Sequence, residues 1–284
     1  MKAESWIALL SGPDRPGIVS SLAAWIYQQG GNILHADQHR DFEENIFFQR
    51  LEWIPKAGSS DLLQQEFVAY ARSIGMSHVE LRPSNHRYRV GLLVSRAEHC
   101  FWDLLLREQA EEFRGEFSFV FSNHPDMRPV ADYFQKQYYC HAVTPENKRQ
   151  VEDRLLAYCR QHRVDLLVMA RYMQVLSDRF LEQVGCPVIN IHHSFLPAFA
   201  GARPYHQAYS RGVKLIGATA HYATPVLDDG PIIAQDVDTV THRHSVQDLI
   251  RKGRDLEKRV LARAVRAHLE QKVLVYQSKT VVFD

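Results

Sequence analysis

A chain of 284 residues with a formal net charge of +1 carries no bulk field that would draw it to nucleic acid or to an anionic membrane. Its 45% hydrophobic and 24% charged residues are the balance of a globular protein with room for one large domain or two ordinary ones. Four cysteines at no metal-ligand spacing, no secretory leader and no apolar run of membrane length point away from disulfide scaffolds, export and membrane insertion, and toward a reduced cytoplasm.

Ser5–Ser11 is a short apolar run closed by Gly12-Pro13 and reads as a strand. Asp14 is expected to cap the helix that follows, with Pro16 in its first turn, where a missing N–H costs nothing. Ile18, Leu22, Trp25 and Ile26 stripe that helix, and Gly30-Gly31-Asn32 stops it. Ile33–Phe42 and Asn45–Trp53 read as a hairpin around Glu43-Glu44. Leu63, Phe67, Tyr70 and Ile74 stripe a second helix, and His78–Leu81 closes the unit as a strand. The order βαββαβ predicts a ferredoxin-like domain, a four-stranded antiparallel sheet with helices on one face.

Arg82-Pro83-Ser84-Asn85-His86 is a polar joint, which places the first domain at 1–82, a linker at 83–87 and the second domain at 88–284. Beyond it, strands alternate with helical stripes: Tyr88–Val94, Phe117–Phe121, Tyr138–Val143, Asp165–Ala170 and Pro187–Ile191 are apolar runs. The clearest stripe between them is Val151, Leu155, Tyr158 and Cys159. This alternation predicts an α/β domain with a doubly wound, mostly parallel, Rossmann-like sheet, whose ligands bind beyond the carboxyl ends of its strands. Cys100, Cys140 and Cys159 sit in apolar stretches and are expected to be buried core thiols.

One strand end holds Asn190-Ile191-His192-His193-Ser194-Phe195-Leu196-Pro197, and strand alternation turns Asn190 and His192 to the same side. A second strand end, from His221 to Thr224, leads into a loop with Asp228-Asp229-Gly230. Together they supply an amide, an imidazole and a carboxylate, the minimum for adding a nucleophile to a carbonyl. The histidines show no paired spacing on a helix, so no metal is expected.

Asn-Ile-His-x-Ser-x-Leu-Pro at 190–197, followed by Asp-x-Gly-Pro-Ile at 228–232, resembles the formyltransferase family that uses 10-formyltetrahydrofolate. The likeness is greatest to its deformylase branch and runs the length of the chain. It takes in Asp14-Arg15-Pro16-Gly17-Ile18, Ser122-Asn123-His124-Pro125-Asp126, Ala170-Arg171-Tyr172-Met173-Gln174, Arg203–Tyr209 and Lys252–Lys258. The resemblance implies hydrolysis of 10-formyltetrahydrofolate to formate and tetrahydrofolate, with the formate supplied to purine synthesis and no metal or redox cofactor. It implies Asn190, His192 and Asp228 as the catalytic trio. Arg171, Tyr172, Met173, His193, His221, Thr224 and Gly230 would form the folate pocket, the loop backbone bonding the pterin. Met173, Val175 and Leu176 read equally as pocket wall or core, and His193 equally as a water-orienting group or a structural one. Whether Asp228 takes the proton of water or keeps His192 charged, and which of the two protonates the leaving nitrogen, stays open. The N-terminal unit resembles an ACT domain, with Asp14, Arg15, Gly17, Ile18, Gly31 and Asn32 as the expected amino-acid effector site. The alternative role for that unit is oligomerisation alone, and a homo-oligomer is expected in both cases.

The acceptor is read from the first strand of the second domain. It ends Leu92-Leu93-Val94-Ser95-Arg96-Ala97-Glu98-His99, with no glycine to let backbone N–H groups close around a phosphate, and Glu98 would repel an anion. Water is therefore the expected acceptor. A formyltransferase to a small amine, with Arg96 as its phosphate anchor, is the alternative enzyme. A folate- or amino-acid-sensing protein is the alternative outside catalysis.

Overall fold

The computed structural model describes residues 5–56, 61–197 and 204–284, so Arg203 of the 203–209 motif lies outside the described residues. Two compact units divide the chain.

The first unit runs β1 (Trp6–Pro13), α1 (Ile18–Gln28), β2 (Asn32–Asp41), β3 (Ile46–Ile54), α2 (Asp61–Ser73) and β4 (His78–Pro83). Its sheet order is β2-β3-β1-β4 with every neighbouring pair antiparallel, the ferredoxin-like arrangement read from the sequence. Trp25, Phe67 and Trp53 pack edge-on and tilted between helices and sheet in that core. The start of α1 departs from expectation. Asp14 does not cap it: its carboxylate pairs with Arg40 at 2.9 Å, and the helix starts after Gly17, which holds φ +93°. With its carboxylate engaged by Arg40, Asp14 leaves the turn to the residue that tolerates a left-handed backbone.

The second unit runs β5 (Tyr88–Val94), α3 (His99–Gln109), β6 (Gly115–Ser122), α4 (Arg128–Tyr133), β7 (Tyr138–Cys140), α5 (Lys148–Gln161), β8 (Leu166–Ala170), α6 (Asp178–Gln183), β9 (Val188–His192), α7 (Pro204–Ser210), β10 (Leu215–Tyr222), β11 (Ile232–Thr239) and α8 (Val246–Leu269). The sheet order is β11-β10-β9-β8-β5-β6-β7, parallel from β9 to β7, with β10 antiparallel to both of its neighbours. The chain leaves β5 toward β6 and β7 and then returns to β8 on the other side. The switch point between β5 and β8 opens the crevice where an α/β sheet binds its ligand. Leu166–Ala170 is buried throughout, as a central strand covered on both faces must be. All four cysteines are free thiols; Cys100 and Cys159 are buried, but Cys140 is only half-buried because it ends the edge strand β7.

The C-terminus corrects the domain assignment. Glu270–Tyr276 and Thr280–Asp284 cluster with the first unit, not with 88–269, as a hairpin of β12 (Val273–Tyr276) and β13 (Lys279–Val282). Leu274 and Phe283 pack on Leu9 and Phe48, the face of the first sheet that α1 and α2 leave uncovered. Arg50 Nε donates to the Gln271 carbonyl at 3.0 Å. β1 and β3 are buried on both faces, which a sheet with helices on one side alone cannot achieve. Among the described residues no helix is long and apolar enough to cross a membrane.

Candidate active site

β10 lies antiparallel to β9 in a register that sets His221 opposite Asn190 and Thr219 opposite His192. Residues opposite each other share a face, so Asn190 and His221 meet side chain to side chain, with Asn190 Nδ2 3.3 Å from His221 Nε2. His221 Nδ1 is 3.0 Å from the Tyr222 carbonyl, which only accepts, so Nδ1 carries the proton and Nε2 accepts from Asn190. That contact fixes the orientation of the Asn190 amide and leaves its second N–H for a ligand.

Asp228 reaches the same place from the loop between β10 and β11, at φ +57°. Gly230 makes the loop possible: a Cβ there would stand 1.7 Å from the Tyr222 carbonyl oxygen. Asp228 Oδ2 lies 3.1 Å from His192 Nδ1, and Oδ1 lies 3.7 Å from His221 Nε2. The hydrogen bond from His192, with the His221 ring close behind it, holds the Asp228 carboxyl well below the usual carboxylate range. An ionised carboxylate only accepts, so His192 presents Nδ1–H to it. His192 Nε2, buried and without a hydrogen-bond partner, is the atom left for chemistry.

The loop after β8 forms the facing wall and is held by two braces. Ser95, directly after β5, donates to Asn123 Oδ1 at 2.6 Å and accepts the Met173 N–H at 3.0 Å. Glu152 of α5 accepts the Ser177 N–H at 2.9 Å. The residue where a phosphate cradle would begin is thus committed to holding a loop. Arg96 is exposed and does not line the cavity.

A cavity of about 780 Å³ opens at the switch point, within the range of small-molecule sites. Asn190, His192 and Asp228 line it together with Arg171, Tyr172, Met173, His193, His221 and Thr224, so the structure brings these expected residues into one place. Gly230 is the exception. It does not line the cavity; its role is the close backbone approach to Tyr222. Met173 and Val175 are 60% and 53% exposed and available to a ligand, whereas Leu176 is both core and cavity wall. His193 lies beside His192, ring centroids 5.2 Å apart, and burial, followed by the nearby Arg171 charge, pushes it down to about 4.

Further residues of the lining are not among the sequence-predicted site residues, and three of them cluster: His99, Tyr205 and Glu257. Glu257 is 1% exposed in the middle of α8. His99 Nε2 donates to its Oε2 at 2.8 Å, Arg171 Nε stands 3.4 Å from the same oxygen, and the Tyr205 hydroxyl donates to Oε1 at 2.6 Å. Burial pushes this carboxyl up, but the His99 hydrogen bond and the Arg171 charge together bring it below its ordinary value. The signal in the sequence was an acid inside the apolar stripe of Leu256, Val260 and Leu261, four residues after a glycine. His99, Cys100 and Glu257 also bring donor atoms within 4.8 Å of one another. The Arg171 charge and the strongly raised Cys100 thiol make that set a poor cation site.

In the first unit, Asp14, Arg15, Gly17 and Ile18 line a shallow hollow of about 420 Å³ with Ser20 and Phe47. Gly31 and Asn32 do not line it: Gly31 packs against Ile26 and Trp53, and Asn32 is exposed at the start of β2.

The formyl transferase family model matches residues 88–265. A formyltetrahydrofolate deformylase of Synechocystis sp. is 49% identical over 278 residues, 97% of this chain and 97% of that one. The crystal structure of a formyltetrahydrofolate deformylase from Pseudomonas syringae pv. tomato superposes with a TM-score of 0.95 at 42% identity, covering 100% of this chain and 96% of that one. Glycinamide ribonucleotide transformylase 1 from Symbiobacterium toebii matches at TM-score 0.66 and 26% identity, covering 72% of this chain and 98% of that one.

Proposed function

The chain belongs to the formyltetrahydrofolate deformylases of the formyl transferase family, and from that premise we infer how the cavity carries the reaction. The enzyme hydrolyses 10-formyltetrahydrofolate to formate and tetrahydrofolate. The observation that carries the assignment of Asn190, His192 and Asp228 is the Asp228–His192 contact, with the unpartnered Nε2 of His192 beside an amide of fixed orientation.

The folate ring stacks on Met173 and Val175, and the formyl carbon stands at the trio. His192, its Nδ1–H held by Asp228, donates Nε2–H to the formyl oxygen as charge develops, and Asn190 Nδ2–H donates to the same oxygen. Water adds to the carbon. Its proton passes to Asp228 Oδ1, the oxygen not engaged by His192. Asp228 is a weak base, but the O-protonated adduct is a strong acid, so a carboxylate held low suffices. That proton then reaches the folate nitrogen as the C–N bond breaks, giving formic acid, which ionises, and tetrahydrofolate. His193, neutral at physiological pH and beside His192, would orient the water in this reading. The step requires no metal or redox cofactor. Purified protein given 10-formyltetrahydrofolate without amine tests the reading by formate release.

The hollow around Asp14, Arg15 and Gly17 suits the carboxylate of an amino-acid effector, because Arg15 supplies charge and the start of α1 supplies free N–H groups. The exposed edge strand β2 suits pairing into a homo-oligomer. Formate for purine synthesis is the proposed metabolic role and the cytoplasm the proposed compartment. Calorimetry of the full chain against small amino acids tests the effector, and the mass in solution tests the oligomer.

A further inference from the structure

The cavity lining holds two chemically different sets of residues besides the trio. Met173, Val175, Ala223, Pro225 and Leu227 give it an apolar wall, suited to a flat heterocycle. Arg171, His99, Tyr205 and Glu257 give it a charged wall, which the folate ring does not need. The charged wall is next to the chemistry. His193 bridges the two, its ring centroid 5.2 Å from that of His192 and 6.1 Å from that of Tyr205.

An amine acceptor reaches a formyl carbon by a defined route. It enters as an ammonium, is held by an acceptor group, loses a proton and attacks. A buried carboxylate in the cavity wall is the group that would hold it. Here that carboxylate is fully occupied by the protein. Glu257 Oε1 accepts from Tyr205, and Oε2 accepts from His99 and faces Arg171. The Arg171 guanidinium adds a positive charge where the ammonium would stand. The Tyr205 ring fills the space, seated against Gly253, where a Cβ would lie 2.1 Å from the Tyr205 hydroxyl oxygen. α8 thus provides both the acid and the gap that admits the ring over it.

We propose that the Tyr205–Glu257–His99–Arg171 cluster is the specificity determinant of the reaction: it occupies the site of an amine acceptor and leaves water as the only acceptor small enough to reach the formyl carbon. The proposal rests on the hydrolytic reading of the cavity given above. In the excluded reaction, a bond forms between the amine nitrogen and the formyl carbon while the bond to the folate nitrogen breaks. The amine loses one proton and the folate nitrogen gains one, so the products are an N-formylamine and tetrahydrofolate.

The test is the partition between the two acceptors, since a ratio of products is independent of how much folded enzyme is present. Wild type, Tyr205→Phe, Tyr205→Ala and Gly253→Ala are each given 10-formyltetrahydrofolate and a large excess of glycinamide. Formate and N-formylglycinamide are then measured by mass spectrometry. The expected result is a formylamine-to-formate ratio at least tenfold above wild type for Tyr205→Ala and Gly253→Ala. Tyr205→Phe, which frees Glu257 Oε1 but keeps the ring, is expected to fall between. Gly253→Ala reaches the same end without altering a residue of the cavity wall, so it serves if Tyr205→Ala does not fold. A ratio within twofold of wild type in every variant that releases formate overturns the proposal. Absence of formate from wild type without amine would instead overturn the hydrolytic reading.

Discussion

Asp228 Oδ2 stands 3.1 Å from His192 Nδ1, and the opposite nitrogen of that ring is buried without a partner. The pair joins a strand end to a loop more than thirty residues later. One nitrogen of the imidazole is tied to the protein and the other is left to the substrate. Asp228→Asn removes the negative charge beside His192 and the carboxylate oxygen proposed to receive the water's proton. Turnover is expected to fall by at least about a hundredfold, the usual weight of an acid–base group. Folate affinity, assigned by the proposed reading to the apolar wall, is expected to stay within a few-fold. Formate release and equilibrium binding of a non-hydrolysable folate analogue measure the two separately.

Gly230→Ala is expected to destabilise the protein by more than about 2 kcal/mol, because its Cβ meets a backbone oxygen that cannot move aside cheaply. The strain falls on the loop that carries Asp228, so turnover should drop with stability. Gly185→Ala, where no atom lies within 4 Å of the added Cβ, is the control: it pays only the cost of φ +73° and should leave turnover near wild type. Thermal unfolding and formate release of both variants check this.

His193 gives a pH dependence of stability. Its value in the folded protein, about 4, lies below the 6.5 of an unperturbed histidine. Between those values the unfolded chain binds more protons than the folded one, so stability falls as pH drops through that window. The contribution lost is at most between about 3 and 4 kcal/mol, since one unit is worth about 1.4 kcal/mol. His193→Asn should therefore show a flatter loss of stability from pH 6.5 to 4 than wild type, measured by urea unfolding across that range. Parallel curves would mean that His193 is solvated in the folded protein.

The C-terminal hairpin decides how the first unit is removed. Deleting 1–86 alone strands Leu274 and Phe283, which pack on Leu9 and Phe48. That truncation is expected to aggregate, whereas removal of 1–86 together with 270–284 should give a soluble second unit. Light scattering of the two truncations distinguishes them.

That Asn190, His192 and Asp228 meet at one cavity was legible in the sequence: two sit in one strand end, the third in a Pro- and Gly-containing loop after another, and the family resemblance named all three. Strand alternation alone set Asn190 and His192 on one side. Glu257 was not legible, because its meaning depends on α8 lying against the loop after β8 and the start of α3, contacts made at long range. The start of α1 was misplaced because Asp14 is a good cap in isolation, and only the fold shows its carboxylate engaged by Arg40. The resemblance implies Gly230 as a ligand contact through its loop backbone; in the structure it makes a close backbone approach to Tyr222 that no local pattern reveals. The C-terminal hairpin was assigned by continuity of the chain, although burial of both faces of β1 and β3 required a second cover.

The acceptor is the centre of the account, and one measurement tests it most directly. Purified wild-type protein is given 10-formyltetrahydrofolate with and without glycinamide ribonucleotide, and formate, tetrahydrofolate and formylated ribonucleotide are measured over time. The account predicts one formate for each tetrahydrofolate, at a rate unchanged by the ribonucleotide, and no formylated product. Formylated ribonucleotide appearing at the expense of formate would contradict it.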